Sequence, residues 1–157
     1  MQEYRKLVPM LERAPMIVLL GKRGTGKTQM AVNLLYEICD RGQTVHYTRL
    51  MDLYRRVRSC FREDGPDEYQ LTNEICRFGG LVIDETHERK ESDFENLTLT
   101  NLIDKRYGEK RTTILVSNLT KDAFAEAVGR SVVARILENG KVVECDWPNF
   151  RGTNGAR

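Results

Sequence analysis

The chain has 157 residues, about the size of one compact domain with a single hydrophobic core, and this length argues against a second domain. Its 25 basic and 23 acidic residues leave a net charge of +2, so the overall charge does not predict a nucleic-acid partner. The mean hydropathy is −0.51, and the first apolar run, residues 16–20, is too short for a membrane span or a signal-peptide core. We therefore expect a cytoplasmic protein without a membrane partner.

The four cysteines are widely spaced along the chain and form no CxxC pair. They are Cys39, Cys60, Cys76 and Cys145. This spacing indicates neither a zinc site nor a disulfide framework, so we expect reduced and mostly buried thiols.

Apolar runs alternate with helical patterns along most of the chain. Residues 16–21 (MIVLLG) predict a buried strand, and residues 27–41 predict a helix that ends at Gly42. The later elements are a strand at 44–48, an amphipathic helix at 50–61, a short helix after the loop 63–68, a strand at 81–84, a helix at 93–107, a strand at 112–117, short helices at 121–128 and 131–137, and a strand at 141–145. Apolar strands that alternate with helices predict an α/β fold whose parallel sheet is covered on both faces.

The two ends of the chain are less clearly patterned than residues 16–146, which we assign to the folded core. Residues 1–15 predict a short N-terminal segment, either a small packed helix or the remnant of a longer protein. Residues 147–157 (WPNFRGTNGAR) are polar and rich in glycine, which predicts a flexible tail.

The segment GKRGTGKT, residues 21–28, matches the P-loop pattern GxxxxGK[ST] between a predicted strand and a predicted helix. Its glycines let backbone N–H groups approach phosphate oxygens closely, and the helix N-terminus adds partial positive charge. Lys27 is expected to reach the β- and γ-phosphates, and Thr28 to bind Mg²⁺. The candidate nucleotide-binding residues are Gly21, Lys22, Arg23, Gly24, Thr25, Gly26, Lys27, Thr28 and Gln29. The alternative, a glycine-rich turn that matches by chance, does not account for the strand and helix around it.

The segment LVIDE, residues 81–85, has the form of a Walker B strand. It would bring Asp84 to the carboxyl end of the sheet, where Asp84 and Thr28 form the candidate Mg²⁺ site. Glu85 is suited to orient and polarise a water molecule that attacks the γ-phosphate. The alternative is an ordinary strand that ends in a solvated acidic pair.

The segment ILVSN, residues 114–118, predicts a buried strand that ends in Asn118. A side-chain amide at this place could lie between the two Walker elements and bind the attacking water or the γ-phosphate. Asparagine is also a common turn residue after a strand, and the sequence alone leaves both interpretations open.

Arg135 lies on the predicted helix 131–137. An apolar face formed by Val132, Val133, Ile136 and Leu137 would leave Arg135 pointing outward. Such an arginine could complete the nucleotide site of a neighbouring subunit, or it could simply face water.

Together these motifs resemble the AAA+ core of the DnaC-type helicase loaders and of the related IstB transposition ATPases. The similar segments, between residues 16 and 150, are GKRGTGKT, TVHYTRLMDLYRRVRSCF, LVIDE, SDFENLTLTNLIDKRYGEKRTTILVSNLT and GRSVVARI. The resemblance implies a P-loop NTPase of the AAA+/ASCE class, a three-layer αβα sandwich with a mainly parallel five-stranded sheet and no C-terminal lid domain. It implies ATP and Mg²⁺ as cofactors, with Lys27, Glu85, Asn118 as the first sensor and Arg135 of the box VII motif as catalytic residues. It also implies head-to-tail self-association into a spiral, with ATP at each subunit junction.

The resemblance further implies a replicative helicase of the DnaB type and single-stranded DNA as partners, although the helicase-binding region that precedes such cores is missing or reduced to residues 1–15. Basic residues follow the second strand, and Arg55, Arg58 and Arg62 would form one stripe on the helix that follows Arg49. The candidate DNA-binding residues are Arg49, Arg55, Arg56, Arg58 and Arg62. Tyr47 and Tyr54 are candidates to stack on a base, with Tyr54 better suited to the core. A solvated helix face is the alternative interpretation.

The two histidines, His46 and His87, have no partners at metal-binding spacing. We expect His46 to line the sheet and His87 to lie in a charged loop.

Three other functions remain as alternatives to a helicase loader. An IstB-like ATPase would coat duplex DNA and direct a transposase. A small-molecule P-loop kinase would need an acceptor pocket and a lid rich in arginine. The acidic pair Asp84 and Glu85 suits water activation, which argues against the kinase. A nucleotide-binding switch would use the same loop without hydrolysis.

Overall fold

The computed structural model describes residues 2–13, 16–87 and 92–148. Its strands form one five-stranded sheet in which every neighbouring pair is parallel. The strands are β1 (Met16–Leu20), β2 (Val45–Arg49), β3 (Gly80–Asp84), β4 (Thr112–Ser117) and β5 (Gly140–Glu144). Their order across the sheet is β2-β3-β4-β1-β5. The predicted α/β fold with a parallel sheet is confirmed, and it is parallel throughout.

Helices cover both faces of this sheet. They are α1 (Gln2–Leu7), a 3-10 helix (Val8–Glu12), α2 (Lys27–Asp40), α3 (Leu50–Ser59), α4 (Glu68–Arg77), α5 (Asp93–Gly108), α6 (Lys121–Val128) and α7 (Arg130–Asn139). Three of them begin at a side chain that accepts a backbone N–H, namely Asp67, Ser92 and Thr120. None of the helices in these parts of the chain is both long and apolar enough to cross a membrane.

The hydrophobic core lies in two layers, one on each face of the sheet. On one face, Ile17 and Val82 pack with the apolar side of α2 and with Leu7 of α1. On the other face, Val18 and Ile83 pack with side chains of α3, α5 and α7. Since successive strand residues point to opposite faces, a strand covered on both sides has to be apolar throughout. The three-layer αβα sandwich is therefore confirmed.

The predicted helix 50–61 is wrong at its end, because α3 stops at Ser59. Gly65 returns so close to the helix that a Cβ there would lie 2.2 Å from the carbonyl oxygen of Ser59. Phe61 falls in the turn between them and is 65% exposed, although it was expected on the apolar side of the helix. Arg62 also lies in this turn, so the predicted stripe of Arg55, Arg58 and Arg62 on one helix face does not form.

The predicted apolar face of α7 is also partly wrong. Val132 and Ile136 are buried and Val133 is half-buried, but Leu137 is 78% exposed. The buried arc is therefore narrower and is centred between Val132 and Ile136, which lie about 40° apart on a helical wheel. Arg135 consequently lies at the edge of the buried arc, and its side chain is partly exposed.

Arg106 of α5 is fully buried and joins three elements of the fold. Its guanidinium donates to the carbonyl oxygens of Phe78 at 2.8 Å and Thr112 at 2.6 Å, and to the Thr113 hydroxyl at 2.9 Å. Burial lowers the pKa of this guanidinium to about 10. Phe78 lies between α4 and β3, and Thr112 is the first residue of β4. Arg106 therefore satisfies backbone carbonyl groups that would otherwise be buried without donors.

Replacing Arg106 with methionine is expected to lower the free energy of unfolding by about 3 kcal/mol, because several buried carbonyl groups lose charged donors at once. Urea unfolding followed by circular dichroism measures this change. The matched control is Arg111→Met, since Arg111 makes a partly exposed ion pair with Glu109 at 3.2 Å and should contribute less than about 1 kcal/mol. Equal losses in the two variants would show that Arg106 has no special structural role.

Candidate functional site

The sheet order brings the predicted motifs to one edge of the sheet. The P-loop follows β1, Asp84 ends β3, and Asn118 follows β4. Because β4 lies between β1 and β3 and all three are parallel, Asn118 lies between the P-loop and the Walker B carboxylates. The structure therefore brings these predicted residues together at the carboxyl ends of the strands.

The P-loop has the backbone that a phosphate cradle requires. Gly21, Gly24 and Gly26 have φ values of 136°, 84° and 82°, a region that favours glycine. Gly21 also has no room for a side chain, since a Cβ would lie 2.4 Å from the carbonyl oxygen of Cys145. The loop leads directly into the N-terminus of α2, so its N–H groups and the helix dipole suit an anion.

Lys27 lies inside this cradle and is 5% exposed. Its ammonium donates to the carbonyl oxygens of Gly21 and Lys22, both at 2.7 Å. Burial lowers its pKa, an effect that the charges of Cys145 and Asp84 oppose. The side-chain nitrogen of Lys27 thus lies at the loop, where a triphosphate would offer it stronger acceptors than these two carbonyl groups.

Asp84 is 4% exposed and accepts hydrogen bonds at both carboxylate oxygens. The hydroxyl groups of Thr28 and Tyr47 each donate to Oδ2 at 2.8 Å, and the backbone N–H of Glu85 donates to Oδ1 at 2.7 Å. The Thr28 hydroxyl and the Asp84 carboxylate form a set of oxygen ligands, which is the chemistry that Mg²⁺ prefers. These residues therefore fit the ion that the sequence predicted.

Tyr47 is a member of the site that sequence reasoning assigned to another role, base stacking. Burial and the hydrogen bond to Asp84 raise its pKa to about 12. The signal in the sequence was its place near the end of a strand that pairs with the Walker B strand, in register with Val82. The hydroxyl of Tyr47 is thus engaged by the candidate Mg²⁺ ligand Asp84.

Glu85 has two unusual properties. Its φ is 56°, a left-handed conformation that costs a non-glycine residue about 1–2 kcal/mol. Its carboxylate lies 3.5 Å from the guanidinium of Arg49, and both side chains are partly exposed. The structure thus puts Arg49 in the candidate catalytic site, whereas the sequence grouped it with the arginines of α3.

Asn118 has His87 as its neighbour. The backbone N–H of Asn118 donates to Nδ1 of His87 at 3.4 Å, and the Asn118 side-chain nitrogen lies 3.1 Å from Nε2. Sequence reasoning found no ligand role for His87 and did not predict this contact. Its position three residues after Asp84 was the available signal.

Trp147 differs from the expected flexible tail. Its indole N–H donates to the carbonyl oxygen of Thr25 in the P-loop at 2.7 Å, and its ring packs on the core layer that contains α2. The segment that follows β5 therefore packs on the P-loop at both Gly21 and Thr25. Residues 149–157 of the predicted tail lie outside the described residues.

Arg135 lies on the opposite face of the sheet from the P-loop helix α2. Its guanidinium pairs with Asp104 at 3.0 Å and with Glu138 at 3.4 Å, and it lies 5.0 Å from the centre of the Tyr107 ring. These partners belong to α5 and α7. Within one chain, Arg135 is thus held by residues outside the nucleotide site.

Three of the other candidate DNA-binding arginines have carboxylate partners among the residues that the structure describes. The pairs are Arg55 with Asp52 at 3.0 Å, Arg56 with Glu74 at 3.5 Å and Arg58 with Glu95 at 3.2 Å. Glu95 is completely buried, so its pair with Arg58 is part of the fold. The other two pairs are exposed, and such pairs exchange partners at little cost. Tyr54 is buried, as the sequence predicted.

Comparisons with known proteins agree with this architecture. A protein-family model described as IstB-like ATP binding protein matches residues 3–153. The replicative helicase loader DnaC of Escherichia coli K12 is 30% identical over 135 residues, which are 85% of this chain and 55% of that protein. DnaC of Buchnera aphidicola subsp. Acyrthosiphon pisum is 25% identical over 142 residues, 89% of this chain and 58% of that protein. The chain spans about half the length of these curated relatives.

Solved structures show the same fold. A crystal structure of the DnaC helicase loader has a TM-score of 0.78 at 23% identity and covers 91% of this chain and 86% of that chain. The replication initiator DnaA bound to AMPPCP and single-stranded DNA has a TM-score of 0.77 at 19% identity, covering 94% of this chain and 45% of that chain.

Proposed function

Because the chain belongs to the IstB-like ATP-binding proteins, as an AAA+ ATPase domain of the DnaC/IstB family, we propose that it binds and hydrolyses ATP, binds single-stranded DNA and serves a replicative helicase as a loader. The observation that carries the ATPase proposal is the convergence of Lys27, Thr28, Asp84, Glu85 and Asn118 at one sheet edge. ATP binding and hydrolysis are general to this family.

The candidate residues divide the ATPase chemistry among them. The P-loop N–H groups and Lys27 hold the phosphates, and Lys27 exchanges the carbonyl oxygens of Gly21 and Lys22 for phosphate oxygens. Thr28 and Asp84 would hold Mg²⁺, which supplies charge neutralisation at the phosphates when it is bound. Glu85 orients and polarises the attacking water, and Asn118 contacts the water or the γ-phosphate.

The position of Arg135 supports assembly of subunits around ATP. It projects from α7, across the sheet from the P-loop helix, and its in-chain partners Asp104 and Glu138 are partly exposed. Such pairs break at little cost, so the guanidinium is available to the γ-phosphate of a neighbouring subunit. We infer head-to-tail self-association with ATP at the junction.

The surface of α3 and α4 supports a path for single-stranded DNA. A groove of about 840 Å³ is lined by Arg56, Arg77 and the exposed ring of Tyr69. Arg55 lies on the same helix as Arg56, and Arg62 follows it in the turn that exposes Phe61. Exposed aromatic rings next to arginines form the usual platform for unpaired bases. Arg58 forms an ion pair with the buried Glu95, so we assign it a structural role.

Replacing Arg55, Arg56 and Arg62 together with alanine is expected to weaken binding of an oligothymidylate strongly, because three candidate phosphate contacts disappear. The plot of log affinity against log salt should lose about 2 units of slope, since each phosphate contact on a single strand contributes about 0.7. Fluorescence anisotropy of a labelled oligonucleotide at several salt concentrations, with ATP and Mg²⁺ present, measures both quantities.

The control is Arg5→Ala, which removes an exposed arginine of α1 on the other face of the sheet. It should leave affinity and slope unchanged. If the triple variant bound the oligonucleotide as the parent protein does, the α3 surface would not be the DNA path. The family model that matches residues 3–153 is IstB-like, so the second candidate function is the IstB-like role on duplex DNA that the sequence resemblance implied. Tighter binding to a duplex of the same length would favour that function over helicase loading.

A further inference from the structure

The pairing of β3 with β4 places His87, which follows β3, beside Asn118, which follows β4. Thr86, the residue before His87, is completely buried, and both its N–H and its hydroxyl donate to the carbonyl oxygen of Val116 at 3.0 Å. These two hydrogen bonds tie the residue that follows Glu85 to β4, and they hold the next residue, His87, against the end of β4. Both ring nitrogens of His87 then face Asn118, at 3.4 and 3.1 Å.

Hydrogen-bond chemistry determines how the two residues must be oriented. A neutral imidazole has one acceptor nitrogen and one N–H donor. The backbone N–H of Asn118 cannot turn, so Nδ1 of His87 has to be the acceptor and Nε2 carries the hydrogen. The NH₂ group of Asn118 cannot face Nε2–H at 3.1 Å, because two donors would then oppose each other. The amide is therefore turned so that its oxygen Oδ1 faces Nε2, an assignment that differs from its opposite only by a half-turn of the amide.

We propose that His87 is a positioning residue that binds the amide oxygen of Asn118 and thereby turns its NH₂ group toward the γ-phosphate of ATP. An NH₂ donor suits a phosphate oxygen, whereas a carbonyl oxygen in the same place would repel it. This inference rests on the proposed binding of ATP at the P-loop. It gives a role to a histidine for which the sequence suggested none.

The test compares the affinities of a non-hydrolysable ATP analogue and of ADP, with Mg²⁺, by titration calorimetry on the full chain. His87→Phe keeps a ring but removes both nitrogens, and it is expected to lower the preference for the ATP analogue over ADP about tenfold, the effect of one hydrogen bond to a charged group. ADP affinity should not change, because ADP has no γ-phosphate. Asn118→Ala should lose the same preference, and the double variant should lose no more than either single one.

A control variant and a rescue variant test whether the loss is specific to the ring nitrogens of His87. His46→Phe changes the only other histidine, which stacks on Phe78 at 4.8 Å, and should keep the parent preference. His87→Gln offers one acceptor and one donor and should restore most of it. A parent-like preference in His87→Phe, or additive losses in the double variant, overturns the proposal. If His87→Phe loses ADP as well, His87→Gln decides by keeping or losing the preference. A parent protein that binds neither nucleotide refutes the proposed function itself, and the inference with it.

Discussion

Replacing Arg135 with alanine is expected to lower ATP turnover about a thousandfold, the lower end of the range for an arginine that stabilises transferring phosphate. ATP affinity should change little, because the P-loop, Thr28 and Asp84 of the same subunit remain intact. Steady-state phosphate release together with nucleotide titration separates the two effects. The stability of the fold should be nearly unchanged, since the ion pairs of Arg135 with Asp104 and Glu138 are partly exposed.

A mixing experiment tests whether Arg135 acts on a neighbouring subunit. Arg135→Ala retains an intact P-loop, and Lys27→Ala retains an intact Arg135, so a mixed junction contains one complete site. Turnover should therefore reappear on mixing these two inactive variants. No recovery would mean that Arg135 does not act across subunits.

The matched control is Asp104→Asn, which removes the in-chain partner of Arg135 at 3.0 Å but keeps the arginine. If Arg135 only ties α7 to α5, this change should reduce turnover as much as Arg135→Ala. If Arg135 contacts phosphate, Asp104→Asn should stay within a few-fold of the parent, because an exposed ion pair contributes less than about 1 kcal/mol.

Replacing Glu85 with glutamine is expected to lower turnover at least about a hundredfold, the usual contribution of a positioned base. The amide keeps the shape of the side chain but cannot polarise the attacking water as a carboxylate does. Binding of ATP and Mg²⁺ should persist, because Asp84 keeps its hydrogen bonds from Thr28, Tyr47 and the backbone N–H of residue 85. The variant should therefore accumulate in the ATP-bound state, which filter binding of labelled ATP detects.

Glu63→Gln provides the control, since Glu63 is an exposed residue of the loop after α3, and it should hydrolyse ATP at the parent rate. Unchanged turnover in Glu85→Gln would remove Glu85 from the chemistry. Loss of nucleotide binding in that variant would indicate instead that the Arg49–Glu85 pair supports the site's structure.

The sequence by itself determined the parts of the molecule that depend on residues close together along the chain. Each strand of the sheet was predicted to within one residue at its start, because a short apolar run between two helical patterns is typical of a strand that is buried on both faces. The P-loop and Asp84 were equally readable, since glycines at fixed spacing between a strand and a helix specify one backbone. Errors came at helix ends and edges, at Phe61, Arg62 and Leu137, where a return of the chain or the width of a packed face decides burial.

Only the tertiary structure decided which side chains complete the site. Tyr47, His87 and Trp147 reach Asp84, Asn118 and the P-loop across 37, 31 and 122 positions of sequence. No local pattern specifies such contacts, because they depend on which strands are neighbours and on the register between them. The same holds for the arginines, whose sequence spacing gives a helix face but not the carboxylates of α4 and α5 that lie opposite. Charge pairing across elements is a property of packing, and packing is fixed only when the chain has folded.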